Sequence, residues 1–297
     1  MAQIRRTSAG KKKTSAFVVS AFVILTLYCV AMLVPLLWDF TTSLKSFGEF
    51  TLGNVLGLPK KITFQSYATV WNRMTRTLDN GTTVYVEQMF LYTLLYAGGC
   101  AFAATFVPCV TAYVTSRYSF RFNKIIYGTV IVAMVLPIVG SWPSQIKMAQ
   151  FLHLYDHIFG MWLLKANFLG MYYLVFHAIF SGIPKGYEEA ASIDGAGHAM
   201  IMFRIMLPLV KNTFFTVLLL QFIAFWNDWM TPWMLLPSYP TVSVGLMFFT
   251  SFNYSAELQS APVQTAACMT VFIPIFIVFV AFRNKLMGNL TMGGLKG

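Results

Sequence analysis

The chain has 297 residues, of which 57% are hydrophobic and 10% charged, and its net charge is +11. A soluble domain carries about a quarter charged residues, so this is the composition of a membrane protein and not of a water-soluble enzyme. The basic residues fall in short clusters between apolar runs and form no basic face, which excludes nucleic acid as the reason for the charge.

A membrane-crossing helix needs about 20 mostly apolar residues. In chain order, the sequence predicts a basic tail over 1–15 and a first span at about 16–38. That first run lacks Asp, Glu, Lys and Arg and ends LVPLLW, just before Asp39. A secretory signal has an apolar core of only about 7–15 residues followed by a small-residue cleavage site, so a retained span is expected. An outer loop follows over 39–87, long enough for a small folded element. Its Asn80-Gly81-Thr82 reads formally as a glycosylation sequon and equally as a tight turn, and it is assigned no function. Further spans are expected at about 88–116, 124–146, 158–182, 212–236 and 258–282. Pro137 and Pro143 should kink or end the third, Lys165 interrupts the fourth, and Asp228 lies in the fifth. A short tail, 287–297, closes the chain. The fold class is an all-α polytopic membrane protein with six transmembrane helices. The four cysteines, Cys29, Cys100, Cys109 and Cys268, all sit in apolar runs and are expected to be buried, unpaired thiols.

Lysine and arginine set the orientation. With the tail inside, the inner segments hold fourteen of them: Arg5, Arg6, Lys11, Lys12, Lys13, Arg117, Arg121, Lys124, Lys185, Arg204, Lys211, Arg283, Lys285 and Lys296. The outer segments hold six: Lys45, Lys60, Lys61, Arg73, Arg76 and Lys147. Both termini and the loop 184–208 are therefore expected on the cytoplasmic side.

That loop contains YEEAASIDGAGHAMIMFRIMLPLV (Tyr187–Val210). Pro184 suits the first turn of a helix, Glu188 and Glu189 suit its positive end, and Ala190, Ala191 and Ile193 continue it. Gly195-Ala196-Gly197 breaks it, and a second piece, Met200–Met206, is expected to stop before Pro208. Two short helices with a glycine corner would then lie across the inner face of the membrane. An interfacial helix resting on lipid is the alternative, but such helices carry lysine and arginine on the polar face. This one leads with Glu188, Glu189 and Asp194, which an anionic leaflet repels, so docking onto a protein fits better.

Charge within a span costs about 2.5–3.5 kcal/mol at the centre on insertion scales, and so points to function. At about 1.5 Å per residue, Asp228 lies about 24 Å from the inner end of span five and Lys165 about 25 Å from that of span four. The two could pair or both face an aqueous cavity; Lys165 could also snorkel to the outer interface. Asn227, Trp226, Trp229 and Trp233 surround Asp228. Carboxylate, amide and aromatic faces suit a sugar, while tryptophan is also common in interfacial belts. His153, Asp156 and His157 have the spacing of one helical face for a metal, but lie in a short outer turn with no further strong ligand, and no metal site is assigned. His177 is expected to pack inside span four. No nucleophile–base set or paired carboxylate suggests catalysis.

Glu189-Ala190-Ala191, three residues, Gly195, nine residues, then Ile205-x-Leu207-Pro208 resembles the EAA loop of ABC importer permeases at every fixed position. FWNDWMTPWMLL (Phe225–Leu236) resembles the WND segment of carbohydrate permeases, ITFQSYATVW (Ile62–Trp71) their outer-loop motif, and NLTMGGLKG (Asn289–Gly297) their C-terminal signature. Together the matches run from about residue 40 to the end, and the chain resembles the smaller, six-span permease of a maltose-type carbohydrate importer. The resemblance implies that the loop between spans four and five is a coupling helix docked on a cytoplasmic ATPase, through Glu188, Glu189, Ala190, Ala191, Asp194, Gly195, Ile205, Leu207 and Pro208. It implies as partners a second, non-identical permease, two copies of the ATPase and an external sugar-binding protein, in the plasma (inner) membrane of a prokaryote. ATP and magnesium would be bound by the ATPase and no cofactor by this chain. The chain lacks GxxxxGK[ST]; its nearest imitation, Gly10-Lys11-Lys12-Lys13-Thr14, has neither the preceding glycine nor a strand before it. A self-sufficient secondary transporter or channel is the competing reading and would call for an inverted repeat with broken helices at the midplane. Aromatic content permits an oligosaccharide, although related permeases also carry polyols and glycerol phosphates.

Overall fold

The computed structural model describes residues 16–136, 140–252 and 255–290, with side chains described up to 283. The basic tail 1–15, Pro137 and the C-terminal 291–297 lie outside the described residues. Helix dominates. α1 (Ala16–Ser43) leads to a small extramembrane cap made of α2 (Phe47–Thr51), α3 (Gln65–Arg73) and a hairpin of β1 (Arg76–Thr77) with β2 (Thr83–Val84). Then follow α4 (Val86–Arg117), α5 (Asn123–Val135), α6 (Trp142–Phe151), α7 (Ile158–Lys165), α8 (Met171–Gly182), α9 (Gly186–Ile193), α10 (His198–Ile201), α11 (Leu207–Asn227), α12 (Met230–Leu235), α13 (Val242–Ser251) and α14 (Ala261–Leu290). A π-helical turn, Met202–Met206, joins α10 to α11.

Among the described residues, four helices are long and apolar enough to cross a membrane: Ala16–Ser43, Val86–Arg117, His198–Asn227 and Ala261–Arg283. The stretches where spans three and four are expected each hold two shorter helices instead. Leu136, which precedes a proline in the sequence, is extended with ψ 117°, as the proline ring forces on the residue before it. Pro143 then sits in the first turn of α6, where its missing N–H costs nothing. The fourth span does not run through Lys165; α7 ends there, and α8 begins only at Met171. The fifth breaks at Asp228. α13, rich in buried apolar residues, occupies a stretch where the sequence predicts only loop.

α4 is the shaft of the bundle. It packs against α5, α7, α8, α11 and α13, and three buried clusters are strung along it. The first joins Cys109, Ala112 and Tyr113 to Tyr173, Phe176, Phe180 and Met206 at the end that carries loop 184–208. The second joins Met89 to Val70, Val84, Trp226 and Val263 at the end that carries the cap. The third, around Tyr96 and Cys100, takes in Met161 and Leu235. Small residues let this crowding happen: Ala97, Cys100, Ala101 and Ala112 of α4 have no exposed surface. By contrast α1 packs mainly on α14, and its apolar stretch is wholly unburied, as for a helix facing lipid. Cys29 and Cys268 are likewise exposed, so only Cys100 and Cys109 are the buried thiols expected; all four are free.

The cap is held by local polar contacts. The Lys45 side chain is fully buried and donates to the Asn54 and Val55 carbonyls at 3.0 Å each. The Glu49 carboxylate accepts from the Lys60 N–H and the Asn54 amide; the Lys60 N–H is the main reason its carboxyl is held below the usual range. Asn80-Gly81 is the tight turn: Gly81 has φ 81°, the Leu78 N–H reaches the Thr82 carbonyl at 2.8 Å, and the Asn80 side chain accepts from the Thr82 N–H.

Gly98 and Gly99 are adjacent on α4 and separable by experiment. A Cβ at Gly99 would lie 2.0 Å from the Trp162 indole, whereas one at Gly98 meets nothing within 4 Å. Gly99→Ala should destabilise the purified protein by about 1–3 kcal/mol through overpacking, while Gly98→Ala should be neutral or stabilise by about 0.5–1 kcal/mol. Thermal unfolding in detergent measures both, and equal effects would refute the close approach of α7 to α4.

Candidate functional site

Two regions gather polar groups that an apolar bundle would otherwise avoid. The first is the loop 184–208. α9 carries Glu188 and Glu189 in its first turn, where the helix dipole favours them; Pro184 lies two residues ahead of the helix and not within its first turn. α9 ends in a Schellman motif: the Ala196 N–H reaches the Ala191 carbonyl at 2.9 Å and the Gly195 N–H the Ser192 carbonyl at 3.1 Å. That closure demands a left-handed residue, and Gly195 supplies φ 79°.

The two glutamates part company. Glu188 accepts from the Arg117 Nε at 2.9 Å, and the same guanidinium donates through Nη1 to the Phe180 and Ile183 carbonyls. Arg117 thereby clamps the end of α4 to the end of α8 and the start of α9. Glu189 and Arg204 are exposed, with no side-chain partner among the described residues. Next to the clamp, the Tyr118 hydroxyl bonds Tyr113 and the His198 Nδ1. An open groove of about 440 Å³ runs over the loop, lined by Pro184, Tyr187, Ala190, Ala191, Asp194 and Ile205.

The expected stop before Pro208 does not occur. Residues His198–Asn227 form one helical run. The π-turn resolves the conflict: the Leu207 N–H reaches back five residues to the Met202 carbonyl, and the widened turn makes room for a proline ring that would clash with a carbonyl in regular helix. Leu207 is half-buried against the inner cluster, and Pro208 is exposed.

The second region is the pair of helix breaks near Lys165 and Asp228. Asp228 caps the break in α11–α12: Oδ1 accepts from the Thr231 N–H at 3.0 Å and Oδ2 from the Tyr96 hydroxyl at 2.9 Å. Lys165 and Asp228 do not form an ion pair. Lys165 is half-buried; its ammonium lies 5.8 Å from the centre of the Phe225 ring, and it lines a partly open cavity with Gln221 and Tyr172. Asn227 is exposed and donates to the Ile223 carbonyl. Trp226 departs from the expected sugar path: it is 3% exposed, its indole N–H bonds the Val271 carbonyl, and Phe90 and Phe222 pack around it. It is a core residue. Trp229 and Trp233 keep open faces, with ring centres 5.8 Å apart, and Trp233 opens onto a cavity of about 400 Å³ with Arg76, Asp79, Asn80 and Asp156.

The His153, Asp156 and His157 spacing does not become a helical face. His153 and Asp156 have φ of 56° and 58° in a tight turn, and Asp156 is a latch, accepting from the Ser238 N–H and hydroxyl. Among the described residues no group of three potential ligands could hold a metal. His177 packs between Tyr127 and Tyr173, as expected.

Residues 104–287 match the family model described as binding-protein-dependent transport system inner membrane component. The chain belongs to this family. It is a multi-pass membrane transport component, not an enzyme. It is 24% identical to the diacetylchitobiose uptake system permease protein NgcG of Streptomyces coelicolor, over 98% of this chain and 92% of that one. Identity to the maltodextrin transport system permease protein MdxG of Bacillus subtilis is 26%, over 94% and 96%. Its fold matches that in the crystal structure of a bacterial ABC transporter involved in the import of the acidic polysaccharide alginate, with a TM-score of 0.76 over 92% of this chain, 99% of that chain and 22% identity. Membership argues against a self-sufficient transporter, since the family works with a binding protein.

Arg117 is the clamp residue that sequence reading passes over, as one more charge in an inner cluster. The available signal is its place at the last turn of the longest uncharged run. Glu188→Ala should cost about 3 kcal/mol, because it leaves a buried guanidinium unpaired, whereas exposed Glu189→Ala should stay within about 0.5 kcal/mol. Denaturation of the detergent-purified protein distinguishes them; equal losses would refute the clamp.

Proposed function

We propose that the chain is a permease subunit of an ATP-driven carbohydrate importer, moved by a separate ATPase docked on loop 184–208. The single observation that carries this is the loop: a Schellman-closed helix with an exposed Glu189 that has no side-chain partner among the described residues, an open groove beside it, and a clamp that ties it to α4 and α8. Small Ala190 at the groove allows another backbone to approach closely. Family membership and the sugar permeases among the relatives support the substrate class.

Six crossings accommodate the helices: α1, α4, α5 with α6, α7 with α8, α11 with α12, and α14. Both termini and loop 184–208 then face the cytoplasm, in keeping with the lysine and arginine distribution. The partners are a second permease, non-identical to this chain, two copies of an ATPase that bind ATP and magnesium, and an external sugar-binding protein. Glu189 and Gly195 form the docking contact, with Ala190, Asp194 and Ile205 around the groove; Glu188, Ala191 and Leu207 hold the loop from beneath. The open faces of Trp229 and Trp233, with Asn227 and the capped Asp228, form the part of the sugar path nearest the outside. ATP-driven closure of the motor would pull α9, and through Arg117 both α4 and α8, between two bundle arrangements.

Position 195 provides the test. Gly195→Val forbids the left-handed residue at a cost of about 1–2 kcal/mol, whereas Gly195→Asn tolerates it. In proteoliposomes holding the whole complex, Gly195→Val should abolish uptake and sugar-stimulated ATP hydrolysis while still inserting, and Gly195→Asn should retain both. Intact transport with valine would reject the docking role. Ile193→Cys in a cysteine-free background should react with a membrane-impermeant maleimide only from the cytoplasmic side; labelling from outside would overturn the orientation.

A further inference from the structure

Between α4, α8 and α11, where α7 stops and α8 has not begun, the bundle leaves a cavity of about 130 Å³. Lys165, Asn167, Tyr172 and Gln221 line it, with Phe225 as one wall. Its depth follows from the helices that frame it. α8 has 12 residues between the cavity and loop 184–208, which is about 18 Å of rise. Along α11, Gln221 is 14 residues beyond Leu207, about 21 Å. A hydrocarbon core is about 30 Å thick, so a cavity about 18–21 Å from that loop lies within it, in the half farther from the loop.

Four polar side chains converge there, and among the described residues none has a side-chain hydrogen bond or an ion pair. The ammonium of Lys165 lies over the face of Phe225, 5.8 Å from the ring centre. This contrasts with Asp228, whose two oxygens are both occupied by Tyr96 and Thr231. One intramembrane charge is thus consumed by a helix break, and the other is not. Polar groups at this depth are costly unless paired or facing a solute path, and the set is rich in donors: an ammonium with three N–H groups, two carboxamides and a phenol.

We propose that this cavity is a saccharide-binding station of the translocation path. The Lys165 ammonium and the Gln221 and Asn167 amides bond the oxygens of one sugar residue, and Phe225 provides an apolar wall for its C–H surface. The volume admits one edge of a ring and not an oligosaccharide, so a longer sugar would thread past it one residue at a time. The inference rests on the carbohydrate reading above and adds the residues that touch the cargo within the membrane. A hydroxyl and a carboxylate on the sugar would both satisfy these donors, and the test separates them.

The complete complex, reconstituted with its binding protein, is assayed with tritiated neutral and uronate-bearing disaccharides for uptake and for ATP hydrolysis. Lys165→Met and Gln221→Leu should each lower uptake about tenfold or more, the loss expected for a hydrogen bond to a charged or buried polar group. ATP hydrolysis stimulated by the loaded binding protein should persist, because loop 184–208 is untouched. Lys165→Arg should restore part of the uptake. A larger loss for the uronate sugar assigns a carboxylate to Lys165; equal losses assign hydroxyls. Uptake unchanged in both variants would overturn the station, and so would uptake and hydrolysis falling together with complex assembly, which marks a structural role. If the unsubstituted complex moves no saccharide at all, it is the carbohydrate reading that fails instead.

Discussion

The guanidinium of Arg117 is the contact on which the arrangement of the bundle depends. It stands at the last turn of α4, the helix packed against α5, α7, α8, α11 and α13, and reaches three acceptors on a different part of the chain. Two are carbonyls where α8 ends, that of Ile183 and that of Phe180, which also accepts from the Ile183 N–H, and the third is the Glu188 carboxylate. Helix ends leave backbone carbonyls unsatisfied, and here a buried charge from the shaft satisfies them. A force applied to α9 therefore reaches α4 and α8 together, through short charge-assisted bonds and not through a loose linker.

A second constraint acts along the rest of the bundle. In lipid, irregular backbone is tolerated only where protein or a water-filled cavity covers it. The breaks in this chain obey that rule in different ways. At Asp228 a carboxylate takes the free Thr231 N–H and a tyrosine hydroxyl, so the kink is chemically closed. At residues 166–170 the kink opens onto a cavity lined by polar side chains without hydrogen-bond partners among the described residues. The π-turn before Pro208 takes a third course, absorbing the proline by widening one turn so that the helix from His198 to Asn227 stays continuous. That continuity joins α10 to the membrane helix without a break, and the change of direction falls before it, at Gly195 with φ 79°.

Much of this was legible in the chain before any coordinates. The apolar runs located α1, α4, α11 and α14, because length and hydrophobicity alone decide what can cross a membrane. The glycine of the corner and the acidic first turn of α9 were equally readable, since φ > 0 and the helix dipole are local requirements. The Asn80-Gly81 turn follows for the same reason. Less legible were the interruptions. Lys165 was seen as a charge within a span, and nothing in composition says whether a helix will carry such a charge or end at it. Pro208 suggested a stop because proline is costly in regular helix, and a π-turn is a remedy that no local preference announces.

What the sequence determined by itself is therefore the local and compositional part: membrane class, long spans, the glycine corner, and which residues carry charge in an apolar setting. Tertiary structure alone decided how those charges are used. Glu188 and Glu189 are neighbours of the same type, yet one is bound by a guanidinium 71 positions away in sequence and the other faces out. Trp226 and Trp233 belong to one motif, yet the first is sealed against Val271 while the second opens onto a cavity. The physical reason is that a side chain's role depends on partners brought close by packing, and at separations of this length no periodicity along the chain encodes which partners those will be.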